Sequence, residues 1–251
     1  LRDGVEVVIP GPELFAKPEI VTVEGAGVFE GYPNRDSTAY VGVYDLTGVK
    51  TMFRGTLRNL GHCETWKAMA DIGLFDDTRR RYAAESYRGV LAALGNVAVD
   101  GDVEGAVAAK AGIARDSAPI QKLTWLGMFE GAALPESDTS PLDALVSRMV
   151  ERLQYKAGER DMIVLQHEFI AEYGDRKEFM RSTLVDFGEP GGPSAMSRTV
   201  GLPAAIGVLR ILDGTIRDRG VVVPVTPEVY NPILDELESA GIRFREERHP
   251  V

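Results

Sequence analysis

At 251 residues, 44% hydrophobic and 26% charged, the sequence has the composition of an ordinary folded protein, with room for one large domain or two small ones. A net charge of -10 and a pI near 4.9 argue against nonspecific binding to nucleic acid or to an anionic membrane, because phosphate affinity is built from clustered Lys and Arg. Cys63 is the only cysteine and His62, His167 and His249 the only imidazoles, so neither a disulfide framework nor a metal site is supported, and a reducing cytoplasm is expected.

The chain opens at Leu1 with no initiator Met and reads as a piece of a longer protein, a processed or poorly ordered N-terminus being the alternative. Residues 5–9 and 19–29 alternate or run β-branched, with Pro10, Pro12 and Pro18 between them, and predict two strands joined by a proline-punctuated loop. Ser37 is placed to cap a short helix that runs to about Asp45, with Gly48 ending it. Residues 51–58 predict another strand, which leads through Asn59-Leu60-Gly61 into a helix over 62–72.

From 76 to 153 the period becomes helical. Tyr87, Val90, Leu91 and Leu94 mark one helix, and Val103, Val107 and Ala111 a second. Ile120, Leu123, Trp125 and Met128 mark a third, and Leu142, Leu145, Met149 and Leu153 a fourth. Strand periodicity returns after Gly158: Ile163, Leu165, His167, Phe169 and Ala171 share a face, and the turn at 174–177 leads back into a second strand ending near Phe187. His167, on that apolar face, reads as a core histidine rather than a proton shuttle, and Trp66 and Trp125 read as core.

Ser194 is placed to cap a helix that is apolar nearly all round over 200–212, which should be buried. The Gly191-to-Ser194 turn before it offers helix N-terminal amides to a carboxylate or phosphate, though ordinary capping is favoured. The apolar run 202–212 stops short of a membrane span, and no signal peptide is read. Residues 221–224 predict a short last strand, and a final helix starts at Pro227 and ends at Gly241.

The layout is therefore an α/β (α+β) body, a mixed sheet covered by helices, interrupted by a helical subdomain. Residues 1–75 and 158–251 form its two parts and 76–157 the insert. Gly25-Ala26-Gly27-Val28-Phe29-Glu30-Gly31 has dinucleotide-like glycines, but its spacing is G-x-G-x-x-x-G and Tyr32-Pro33-Asn34 follows instead of a helix, so it is rejected as a pyrophosphate site. Cys63 has no base that spacing can place beside it and reads as a small buried side chain.

The chemistry concentrates in Glu30-Gly31-Tyr32-Pro33-Asn34-Arg35-Asp36-Ser37 and Arg54-Gly55-Thr56-Leu57-Arg58. Three arginines, an amide and two hydroxyls beside Pro and Gly turns suit a small molecule bearing several carboxylates, which guanidinium forks bind bidentately. Pairing of Arg35 with Asp36 or a nearby Glu is the structural alternative.

These two blocks resemble the C-terminal domain of saccharopine dehydrogenases. So do Leu165-Gln166-His167-Glu168-Phe169, Ser182-Thr183-Leu184-Val185-Asp186, Ser194-Ala195-Met196, Thr199-Val200-Gly201-Leu202-Pro203-Ala204-Ala205 and Tyr230-Asn231-Pro232-Ile233-Leu234, in order. The resemblance implies an oxidoreductase of lysine metabolism that interconverts saccharopine with glutamate and aminoadipate semialdehyde, with NAD or NADP bound by a Rossmann-type domain absent from this chain. It implies Arg35, Thr56, Leu57 and Arg58 as substrate-binding residues, with Tyr32, Asn34, Arg54 and Gly55 supporting them and no catalytic residue assigned. It also implies a homodimer, and a C-terminal end that packs on the nucleotide-binding domain. The isolated chain is then expected to bind no nicotinamide and to be inactive. A related imine-reducing enzyme such as carboxynorspermidine synthase, or a non-catalytic binding module, remains the alternative.

Overall fold

A computed structural model describes the whole chain, residues 1–251. In chain order the first elements are β1 (Glu19–Val23), β2 (Gly27–Pro33), α1 (Ala39–Val43), β3 (Gly55–Asn59), α2 (His62–Ile72), β4 (Arg80–Arg81), α3 (Tyr87–Gly95), α4 (Val103–Lys110) and α5 (Ala118–Leu126). They continue as β5 (Asp138–Thr139), α6 (Pro141–Arg152), β6 (Met162–Glu172), β7 (Lys177–Phe187), α7 (Ala195–Leu212), α8 (Pro227–Ser239) and β8 (Arg245–Pro250). The strands form three small sheets of order β1-β2-β3, β4-β5 and β6-β7-β8, so the α/β class expected from the sequence holds.

Two compact units result, one from Leu1–Val21, Val28–Asp36 and Lys50–Gln154, the other from Thr22–Gly27, Ser37–Val49 and Tyr155–Val251. In the first, residues 5–9 form no ladder: Val5 makes only an isolated bridge to Arg2, and Val7, Val8 and Ile9 are exposed. Their β propensity finds no partner strand, and propensity without pairing does not make a sheet. The expected strand over 19–29 is two strands, broken by a turn that the Ala26 amide closes on the Val23 carbonyl. The strand expected over 51–58 is shorter, because its first part pairs with the N-terminus through Leu1 and Met52.

Helices α2 to α6 enclose the main core, in which Ile72, Leu74, Leu91, Leu123, Met128 and Leu145 are all fully buried. Their starts are set locally: Ser86, Asp102 and Ser140 accept hydrogen bonds from the amides of Gly89, Gly105 and Asp143, the N-cap geometry that satisfies otherwise orphaned donors. Trp125 departs from expectation and is 60% exposed. It lies two residues past buried Leu123, and on a helix that offset points the side chain to the opposite side. The two-residue ladder between β4 and β5 is too short to leave a pattern in the sequence.

The second unit is a hairpin, β6 against β7, paired from Met162↔Phe187 to Glu172↔Lys177, with β8 added along β7. Its core is thin: Leu184, Ile206, Leu237 and Ile242, with Ile163, Leu202 and Ile233 packed around them. Two expectations fail here. Residues 221–224 join no sheet and Val221 is fully exposed, while β8, read as no strand at all, pairs through its backbone and through ion pairs such as Arg181–Glu247.

Helix α7 is the larger departure, since only Ala195 and Ile206 are buried and Val200, Leu209 and Leu212 are exposed. A single stripe of α7 reaches the sheet and α8, leaving the rest of its apolar circumference uncovered. By length and mean hydropathy (1.3) it could cross a membrane, but it is fastened into this unit by Ile206 and by the Arg210–Glu236 ion pair to α8. Helix α1 begins at Ala39, with Thr38 in the N-cap position.

The core assignment has a direct check. Leu123→Ala should destabilise the protein by about 2–5 kcal/mol in urea unfolding, the cost of emptying a packed site, whereas Trp125→Ala should cost less than about 1 kcal/mol. Equal losses would contradict the packing described.

Candidate functional site

The antiparallel pair of β2 and β3 brings the two arginine-bearing segments together. Tyr32 lies opposite Thr56 and Glu30 opposite Arg58, so these four share one face of the sheet, while Gly31 and Leu57 occupy the other. Past the end of the ladder, the Asn34 amide donates to the Arg54 carbonyl at 3.0 Å and Asn34 Nδ2 to Thr56 Oγ1 at 2.9 Å. The supporting role expected of Asn34 thus has a geometry, in which one side chain ties the loop after β2 to β3. Gly55 stands in a tight place, since a Cβ there would lie 2.7 Å from the Phe53 ring and 3.0 Å from the Tyr32 carbonyl, so the exposed Phe53 ring would have to shift.

Arg35 follows Asn34 in the left-handed region at φ +60°, a backbone state that non-glycine residues rarely hold without a reason. Its side chain is exposed. Arg58 is also exposed, and its Nη1 donates only to the Leu57 carbonyl at 2.9 Å. Leu57 itself points to the opposite face, so only its backbone stands with Thr56 and Arg58.

The residue facing Arg58 could have neutralised it and does not. Glu30, 8% exposed, spends its carboxylate on two backbone donors: Oε1 accepts from Gly61 N and Oε2 from Cys63 N, each at 2.7 Å. Gly61, at φ +81°, has no side chain to cap α2, and Glu30 supplies the missing acceptors from β2. Burial pushes this carboxyl up, but the amides of Cys63 and Gly61, with His62 nearby, outweigh it and hold the group below the usual carboxylate range. Lys122 of α5 completes the corner by donating to Gly61 O and Thr65 Oγ1, both at 2.8 Å.

Aromatic rings pack on this same face around Tyr32. His62 lies flat on Tyr32 (5.8 Å, 10°) and Trp66 on His62 (5.0 Å, 27°), with Phe75 against Trp66 and Phe15 edge-on to Tyr32. Desolvation, together with the Arg58 cation, lowers the His62 pKa; Glu30 pulls the other way and Lys122 adds to the lowering. Trp66 is half-buried in this stack and not the core residue expected. Sequence reasoning missed His62 and Glu30 as partners of the site, although Glu30 stands at the head of the motif and His62 four residues after Arg58.

The remaining candidates resolve differently. Cys63 is buried, and burial with the adjacent Glu30 carboxylate pushes its thiol up to about 11, so it is a packed side chain and not a nucleophile. His167 is exposed, stacked on Phe169 at 6.1 Å, and is not the core histidine expected. Its face of β6 is covered only near Ile163. The α7 N-terminus is filled from within: Asp161 accepts from Ala195 N at 2.7 Å and Met196 N at 2.8 Å, and Ser194 Oγ caps Ser197 N. Gly25 and Gly27 belong to the β1–β2 turn, with no helix behind them to receive a pyrophosphate. No group of three His, Cys, Asp or Glu side chains is arranged to hold a metal.

Comparison with known proteins adds an independent line. Residues 1–242 match the model of the saccharopine dehydrogenase C-terminal domain. The chain is similar to saccharopine dehydrogenase [NADP(+), L-glutamate-forming] of Saccharomyces cerevisiae, 34% identical over 264 residues, covering 98% of this chain and 57% of the relative. It is also similar to the mitochondrial alpha-aminoadipic semialdehyde synthase of Bos taurus, 33% identical over 226 residues, covering 86% of this chain and 24% of that protein. Among solved structures it superposes on apo histidine-tagged saccharopine dehydrogenase (L-Glu forming) from Saccharomyces cerevisiae with a TM-score of 0.90 at 33% identity, covering 99% of this chain and 57% of that one. The chain thus spans 57% of the length of the curated relatives it matches first.

Two expectations follow from the geometry. Glu30→Gln replaces one acceptor by a donor facing an amide and should cost about 1–3 kcal/mol of stability at neutral pH. Because the folded carboxyl is depressed, that stability is present above its unfolded pKa and lost on acidification, so the deficit against the unmodified protein should shrink between about pH 5 and 3. An equal deficit at both ends would contradict the assignment. Cys63 should resist alkylation in the native protein at about pH 8 and react on unfolding; rapid native labelling would contradict its burial.

Proposed function

Because the chain belongs to the saccharopine dehydrogenase C-terminal domain family, we propose that it forms the substrate-holding part of a glutamate-forming saccharopine dehydrogenase. The reaction is oxidation of saccharopine beside its secondary amine and hydrolysis of the resulting imine to glutamate and aminoadipate semialdehyde. A nicotinamide accepts the hydride, and the relatives' names support NADP. Gly25 and Gly27 make a strand-to-strand turn and not the strand-to-helix turn of a dinucleotide cradle. We place nicotinamide binding in sequence outside residues 1–251, consistent with the 57% of the relatives' length that the chain spans.

The observation that carries the reading is the pair of exposed arginines, Arg35 and Arg58, beside the Asn34–Thr56 hydrogen bond, with Arg58 Nη1 donating to the Leu57 carbonyl and the facing Glu30 carboxylate committed to backbone amides. Saccharopine bears three carboxylates, and an exposed guanidinium can hold one of them through two parallel hydrogen bonds. Thr56 Oγ1 already receives the Asn34 donor, so its remaining proton can point to the ligand. Leu57 contributes backbone, and Tyr32, Arg54 and Gly55 shape the face. The reading includes a homodimer, for which the apolar residues that α7 leaves exposed are the support. It also includes a cytoplasmic location, supported by the single, buried thiol.

In the full-length protein, Arg35→Ala should weaken saccharopine binding about ten- to a hundredfold, roughly 1.5–3 kcal/mol, in a calorimetric titration. An unchanged affinity would place Arg35 outside the site. Residues 1–251 expressed alone should show no dehydrogenase turnover, and activity above background would overturn the division of labour.

A further inference from the structure

The face that carries Tyr32, Asn34, Thr56 and Arg58 ends at a strand whose last residues must stay in place while an anionic ligand is captured. Pro33 ends β2 and Arg35 holds a left-handed backbone, and the segment that presents Arg35 is joined to β3 by the Asn34–Arg54 backbone bond and the Asn34–Thr56 side-chain bond. What holds the strand from the side is aromatic. Tyr32 is sandwiched by the His62 ring at 5.8 Å and the Phe15 edge at 5.0 Å, and His62 in turn lies on Trp66 at 5.0 Å. Trp66 is anchored on Phe75, which packs against the buried helical core.

We infer that His62 is a positioning residue of the ligand site, the middle layer of a Tyr32–His62–Trp66 stack that fixes β2 and its Asn34-Arg35 end against the helical core. The inference rests on the reading of Arg35, Thr56 and Arg58 as ligand contacts. Three features make position 62 the one that matters. It is the first residue of α2, whose start is locked by the Glu30 carboxylate on either side of it, through Gly61 N and Cys63 N. Its ring is nearly parallel to that of Tyr32, at 10°, a stacked arrangement that adds an aromatic contribution beyond the area it buries. It also lies between the cations of Arg58 and Lys122 and the carboxylate of Glu30, where a neutral ring leaves the Arg58 guanidinium uncommitted. An acidic side chain at the same place would pair with Arg58 and compete with the ligand.

The test uses the full-length protein and two variants of similar bulk. His62→Leu keeps apolar volume but removes the flat ring, and His62→Phe restores the ring without the imidazole. Steady-state KM is measured separately for saccharopine and for the nicotinamide cofactor, with Arg35→Ala alongside. The expected result is a saccharopine KM raised about three- to tenfold in His62→Leu, the range of an aromatic stacking contribution. The cofactor KM should be unchanged, and His62→Phe should return to within about twofold of the unmodified protein. An unchanged saccharopine KM in His62→Leu, or an equal rise in both His62 variants, overturns the inference, as does a parallel rise for the cofactor. If Arg35→Ala raises the saccharopine KM and His62→Leu does not, the positioning role alone fails. If neither changes it, the ligand-site reading fails with it.

Discussion

The carboxylate of Glu30 is the interaction on which the site's geometry depends. It joins a strand to the start of a helix by two 2.7 Å hydrogen bonds, at a position where Gly61 provides no cap. The consequence reaches the opposite strand. Because both oxygens are committed to backbone amides, Arg58, facing Glu30 across the ladder, is left with only a carbonyl partner. A buried carboxylate thus does two things: it fixes the start of α2, where His62 stacks on Tyr32, and it stays out of an ion pair with the facing Arg58. Charged hydrogen bonds of this kind are stronger than neutral ones, and the depressed carboxyl reflects that preference for the ionised form.

The two units distribute stability unevenly. The helical unit closes a core in which Leu91, Leu123, Met128 and Leu145 are fully removed from solvent, each worth about 1.5–3 kcal/mol of burial. The sheet unit buries only Leu184, Ile206, Leu237 and Ile242, and leaves much of α7 and the Leu165-to-Phe169 face of β6 exposed. A unit with so little interior relies on its backbone ladder and on surface pairs such as Arg181–Glu168 and Arg198–Asp186, which contribute modestly. The strand pair and helix start that hold the candidate site belong to the first unit, where packing is dense.

Much of this was legible in the sequence where a local rule and the tertiary structure agree. Helix α2 spans the predicted 62–72, and the β6–β7 hairpin has the predicted turn, because periodicity and turn chemistry there match the packing. The failures have a common cause in partnership. Residues 5–9 have strand propensity without a neighbouring strand, and β8, Arg245–Pro250, has a neighbouring strand without apolar alternation. Uniform apolarity in α7 says that the helix seeks cover on every side, but not that the cover lies within these 251 residues. In the candidate site, residue chemistry singled out Arg35, Thr56 and Arg58, and the fold sets Thr56 and Arg58 on one face of the strand pair with Asn34, the neighbour of Arg35, bonded to Thr56. The roles of Glu30 and His62 depend on a strand meeting a helix 32 residues away in sequence, Glu30 to His62, which no spacing rule conveys.

The most direct test is a crystal structure of the full-length protein with saccharopine bound. A carboxylate of the ligand within hydrogen-bond distance of Arg35 and another at Arg58, with Glu30 still on Gly61 and Cys63 and the Tyr32–His62–Trp66 stack intact, is the predicted result. Saccharopine held elsewhere, or Glu30 turned to pair with Arg58, would contradict the account.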